Sequence, residues 1–156
     1  RLYDHGFTTL SIQMPVLAAD ATADAYPAVF PEAVERLQLA AAFLKEKGHS
    51  RIVIVSHSAG SRMSRVYMAT NPADVNAWAA LSLTQGDTFE GVKAPVLDLY
   101  GEKDLPHVLS SAAKRKASLI GNATSTQVMI PNTDHFFDKQ EAAMVKAVKD
   151  FLDKVK

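Results

Sequence analysis

Ile-Val-Ile-Val-Ser-His-Ser-Ala-Gly, residues 52–60, is the stretch whose reading decides the fold of this 156-residue chain. Ile52, Val53, Ile54 and Val55 are all β-branched and show no polar alternation. Such a run suits a strand buried on both faces, as in a parallel sheet. The residues that follow, Ser56, Ser58, Ala59 and Gly60, are small and compatible with a tight turn. A helical pattern begins near Ser61 and is ended by Asn71-Pro72. Strand, sharp turn with a central Ser, then helix is the context in which a turn lifts a hydroxyl above a sheet edge. Ser58 is therefore a candidate nucleophile. The match to Gly-x-Ser-x-Gly departs at one place, where Ser56 replaces the first Gly, and the turn is expected to be the more strained for it.

Composition narrows what such a site can serve. The length fits one domain over residues 1–156, with room for a sizeable core. Lys plus Arg and Asp plus Glu both number 17, so the formal charge is zero and no basic face points to nucleic acid or an anionic membrane. With no Cys, disulfides, thiol catalysis and thiolate metal sites are excluded. No apolar run is long enough to span a bilayer. The chain begins at Arg1 rather than Met, which leaves an upstream segment open, a secretion signal included, and the compartment undetermined.

Outward from the central strand, the pattern alternates strand and helix. Upstream, residues 1–6 read as the tail of a helix or a loop capped by Gly6, and residues 7–13 alternate well enough for a strand stopped by Pro15. A loop of about a dozen residues leads to Pro31 and a helix that gathers Val34, Leu37, Ala40, Ala41 and Leu44 on one face before Gly48. Downstream, residues 78–84, 96–100 and 126–130 read as strands, the last stopped by Pro131. A helix is expected from Pro106 to about Ser118. Another is expected after a capping-box-like Asp138 and Glu141. The whole predicts an α/β fold, a mainly parallel sheet of about five strands with helices on both faces. Neither a Gly-rich dinucleotide fingerprint nor a phosphate loop is present, so no cofactor is implied, and the His residues show no metal-ligand spacing.

In such sheets ligands bind at the carboxyl ends of the strands. Ser58 follows the second expected strand, Gly-Glu-Lys-Asp (residues 101–104) the fourth, and Asn-Thr-Asp-His (residues 132–135) the fifth. Ser, Asp and His in that order, each just past a strand, resemble the α/β-hydrolase superfamily. Residues 53–60 resemble its nucleophile elbow, residues 95–104 its acid strand and loop, and residues 134–137 its His loop. The resemblance covers nearly the whole chain, in a truncated or minimal form, and is similar to a bacterial domain-of-unknown-function hydrolase family.

The resemblance implies a serine hydrolase acting on a small-molecule ester or acyl substrate. Ser58 would attack, His135 would act as general base and acid, and Asp104 would fix the His tautomer. The backbone N–H of Ala59 would be one oxyanion donor. Asp87 also follows a strand end and is the alternative carboxylate. Thioester or peptide cleavage, or ligand binding without turnover, are the alternative activities. Asp98 lies mid-strand and is expected to be buried or paired; His57 is expected to pack within the elbow. In the superfamily a further strand lies between those matching residues 7–13 and 52–55, and the second oxyanion donor follows it. The long crossover permits closure, and a five-stranded parallel sheet with residues 7–13 directly beside 52–55 is expected; strand exchange in a homo-oligomer is the alternative.

Overall fold

The computed structural model describes residues 1–71 and 73–155. The Pro72 half of the expected helix stop lies outside the described residues; the helix itself ends at Thr70. Among the described residues, four parallel strands form one sheet in simple sequential order: β1 (Val53–His57), β2 (Ala77–Leu81), β3 (Val96–Lys103) and β4 (Thr126–Asp134). The helices are α1 (Phe30–Glu46), α2 (Ala59–Thr70), α3 (Pro106–Ala117) and α4 (Glu141–Lys154). Among the described residues, no helix is long and apolar enough to cross a membrane.

Burial on both faces is written into the two central strands. Every residue of β2 is buried. Ala77, Ala79 and Leu81 face α4, where they meet Leu97 and Leu99 of β3 and Val148, Phe151 and Leu152 of α4. Trp78 and Ala80 point the other way, into a core with Leu37 and Ala41 of α1 and Tyr67 and Met68 of α2. The strand period of two thus feeds two cores from one apolar run. Asp98 of β3 lies fully buried and takes Nε of Arg115 from α3 at 2.9 Å, with Gln127 of β4 at 2.8 Å. The mid-strand carboxylate is therefore paired, and it ties α3 and β4 to the sheet.

The structure departs from expectation locally in four places. Residues 7–13 form no strand and belong to no ladder. Cavities of 110, 450 and 340 Å³ separate this stretch from β1, each lined by Leu10 on one side and Val55 on the other. Strand closure would need backbone pairing along β1; instead Ile12 and Met14 pack against the α1–α2 core as side chains only. The strand expected over 78–84 ends at Leu81, because Ser82 takes φ 50 and turns the chain. The last strand runs on through Pro131 to Asp134, past a register shift between Gly101 and Lys103. Proline is tolerated there because β4 is an edge strand and the ladder is already interrupted. The start of α4 also differs: Gln140 is its N-cap, with no side-chain cap bond.

Gly101 of β3 packs directly against the backbone of β4. A Cβ at this position would lie 2.3 Å from the Thr133 carbonyl oxygen and 2.7 Å from that of Asp134. Both obstacles are backbone, so the strands would have to part. Gly101→Ala is expected to lower stability by about 3 kcal/mol or more, at the upper end for overpacking. Urea unfolding measures it, and wild-type stability would show that the approach is not tight.

Candidate active site

The turn after β1 holds Ser58 in a backbone conformation rare for a residue with a side chain, φ 54 and ψ −123. Such strain costs on the order of 1–3 kcal/mol and persists only where neighbours fix it. The fixing bonds come from β2 and from the first turn of α2. Ser58 N–H donates to Leu81 O at 2.9 Å, and Ser61 N–H donates back to Ser58 O at 2.9 Å. Ser61 Oγ donates to Ser56 O at 2.8 Å and to Leu81 O at 3.1 Å. Ser56, the residue in the first Gly's place, accepts the indole N–H of Trp78 at 2.9 Å. Gly60 is not crowded: a Cβ there would find only Ser56 Cβ, at 4.0 Å.

The structure brings Ser58, His135 and Asp104 together. His135 Nε2 lies 3.0 Å from Ser58 Oγ, and His135 Nδ1 lies 2.7 Å from Asp104 Oδ1. Both bonds are made at once when Nδ1 carries the proton and Nε2 accepts the Ser58 hydroxyl. Asp104 and His135 are 5% and 7% exposed, so the interaction is shielded from water. Asp87, the alternative carboxylate, points elsewhere, taking Nε of Arg62 at 3.1 Å. Ala59 opens α2, and its N–H therefore has no acceptor within the helix.

Asp104 is held by more than the histidine. Its Oδ2 accepts the Ser82 hydroxyl at 2.5 Å and Gly101 N–H at 3.2 Å; its Oδ1 also accepts Leu105 N–H at 2.7 Å. Burial pushes the Asp104 carboxyl up, but these donors, Ser82 foremost, outweigh it and hold it below the usual carboxylate range. His57 does more than pack. Its Nε2–H donates to the His135 carbonyl at 2.8 Å, and the two rings lie 4.8 Å apart. Burial lowers the His57 pKa, which keeps a second positive charge away from His135. The His135 loop is fixed by Asp134, whose Oδ1 accepts the N–H of Phe136 at 2.9 Å, and by buried Phe137.

Ser82 and His57 escape a motif search because each is a single residue contributing one hydrogen bond. Ser82 does leave a trace, as a polar residue between Leu81 and Leu83 at a strand's carboxyl end. Among the described residues no group of three or more His, Asp or Glu is placed to hold a metal ion. A cavity of 340 Å³ adjoins the elbow along Ser56, His57 and Gly60, with apolar walls from Leu10, Ile12 and Leu37.

The fold is that of known structures. No family model matches the chain, and no curated protein does. A protein from Agrobacterium tumefaciens, described as an alpha/beta hydrolase of unknown function, superimposes with a TM-score of 0.71 at 16% identity, over 97% of this chain and 71% of its own. Est1E from Butyrivibrio proteoclasticus gives 0.67 at 15% identity, over 78% of this chain and 69% of its own. A protein from Thermoplasma acidophilum described as a predicted CIB-like hydrolase gives 0.64 at 22% identity, over 79% of this chain. The chain spans 59% of that last protein's length. The chain has the α/β-hydrolase fold.

The Asp104 bonds carry a consequence for acid stability. A carboxyl depressed in the folded state contributes stability that is complete above its unfolded pKa, ~3.9, and lost as pH falls through the folded value. Urea unfolding of the wild type between pH 2 and 6 should therefore weaken below about pH 4. Asp104→Asn should flatten that part of the curve; identical slopes would mean the carboxylate is not held as described.

Proposed function

We propose that this protein is a serine hydrolase cleaving small carboxylic esters through an acyl-enzyme. The observation that carries the proposal is the continuous chain Ser58 Oγ–His135 Nε2–Asp104 Oδ1, with links of 3.0 and 2.7 Å. Ser58 Oγ attacks the ester carbonyl while His135 Nε2 takes its proton. The new C–O bond leaves a tetrahedral oxyanion, which the Ala59 N–H stabilises. The intermediate collapses, the alkoxide leaves with the proton from His135, and the acyl group stays on Ser58. Water, deprotonated by His135, then attacks the acyl carbonyl. Collapse returns the proton to Ser58 and releases the carboxylic acid.

Asp104 remains a carboxylate throughout and stabilises the imidazolium formed at each transfer. Its depressed pKa suits that role. Esters are favoured over peptides because Ala59 supplies one oxyanion donor, and each donor contributes about 10²–10³ in rate. An alkoxide leaves more readily than an amine, so an ester demands less of that donor. Fold similarity to proteins described as hydrolases agrees with this reading.

A fluorophosphonate probe should label the wild type at Ser58 and leave Ser58→Ala unlabelled. The same substitution should abolish hydrolysis of p-nitrophenyl acetate with the folded state intact by circular dichroism. Asp104→Asn should lower kcat by about 10⁴ through the wrong His tautomer, while Asp87→Asn stays close to wild type. Equal hydrolysis by wild type and Ser58→Ala would remove Ser58 as the nucleophile. Absence of labelling and of turnover in the wild type would favour a binding protein on the same fold.

A further inference from the structure

We infer that Ser82 is a positioning residue of this site: its hydroxyl locks the Asp104 carboxylate in the orientation from which Oδ1 meets His135. The inference rests on the hydrolase reading above for its catalytic meaning, and on geometry for the rest. Ser82 is fully buried at the carboxyl end of β2, between the strand that leads to the nucleophile and the strand that leads to Asp104. Its Oγ donates to Asp104 Oδ2 at 2.5 Å, in the short range of charge-assisted bonds. The two oxygens of the carboxylate are thereby divided. Oδ2 takes Ser82 and Gly101 N–H, and Oδ1 takes His135 and Leu105 N–H.

The backbone at Ser82 argues that the hydroxyl is wanted there. Ser82 has φ 50, the left-handed region where glycine is the unstrained choice. Its N–H is spent on Leu99 O at 2.7 Å, which fixes the turn without the side chain. A residue kept only for the turn would be served better by Gly. What Ser adds over Gly is the oxygen that reaches Asp104. A carboxylate in a buried site with one oxygen short of a donor turns toward whatever donor remains. Rotation about its side-chain bond would swing Oδ1 away from His135 Nδ1, and the imidazole would lose its tautomer and its aim at Ser58.

The test uses two variants. Ser82→Ala removes the hydroxyl and keeps the strain; Ser82→Gly removes the hydroxyl and relieves the strain. The second loses the buried hydrogen bond but is spared the strain that the first keeps, so a loss of kcat common to both, in protein shown folded by circular dichroism, is not a folding defect. Both should lower kcat for p-nitrophenyl acetate about tenfold or more with KM within twofold. Both should move the Asp104 carboxyl titration upward, read by carbon NMR of labelled protein, and broaden the low-field proton resonance of His135 Nδ1–H. Wild-type kcat in Ser82→Gly, or an Asp104 titration and Nδ1–H resonance that stay put, would overturn the inference. Failure of the hydrolase reading is separately visible: the wild type would then be inert to ester and fluorophosphonate, while the NMR readouts would still show whether Ser82 holds the carboxylate.

Discussion

The buried carboxylate of Asp104 is the point where the carboxyl ends of this sheet are tied together. Ser82, at the end of β2, donates to it; Gly101 and Leu105, at the end of β3, donate through their backbones; His135, past the end of β4, donates through its ring. Through His135 the network reaches Ser58, past the end of β1. A carboxylate without donors would not stay charged in such a place. With this set of donors it stays ionised and cannot turn, so three separate loops share one fixed origin. The close passage of β4 over Gly101 sets the distance between two of them.

Backbone strain gathers around the same network. Ser58, Ser82, Asn132 and Phe137 all take positive φ without being glycine, and each lies at or within a few residues of a strand's carboxyl end. Each costs free energy of order 1 kcal/mol that the two apolar cores must offset. Gln85 and Lys139 also take positive φ, in the turns that follow β2 and β4. At Ser58 and Ser82 the strain is concentrated where the chain leaving a strand turns sharply, and the surrounding hydrogen bonds fix each turn. That concentration argues for a preorganised site, in which the geometry exists before any substrate arrives.

Much of this is legible in the chain because it depends on local pattern. The β-branched run before Ser58, the apolar run containing Trp78 and the caps at Gly6 and Gly48 each determine their own element. The order of Ser, Asp and His past successive strands then follows from topology alone. What is not legible depends on pairing between distant residues. Residues 7–13 alternate like a strand, yet a strand exists only through a partner, and β1 pairs with β2 alone among the described residues. Pro131 reads as a stop, but its cost vanishes on an edge beside a register shift. Asp138 reads as a helix cap; instead Asp134 bonds the N–H groups of Phe136 and Asp138, and α4 starts later. Asp87 and Asp104 look equivalent until Arg62 claims the first and Ser82 with His135 claims the second.

The departure at Ser56 acquires a meaning from the sheet order. β1 is a terminal strand, with Val55 42% exposed although the run around it is wholly apolar. The elbow therefore hangs on a strand supported by a ladder from one side only. A central strand would be clamped from both sides, and a Gly at position 56 would suffice there. Here the missing restraint is supplied by side chains that reach across to β2. Trp78 donates its indole N–H to Ser56, and Ser61 donates to both Ser56 O and Leu81 O. With Gly at 56 the indole N–H of a fully buried Trp would lose its acceptor, at a cost of about 1–3 kcal/mol. The same change would free the turn that aims Ser58. Ser56 is thus not a tolerated substitute for glycine but the residue through which the best-packed strand of the sheet steadies its least-supported one.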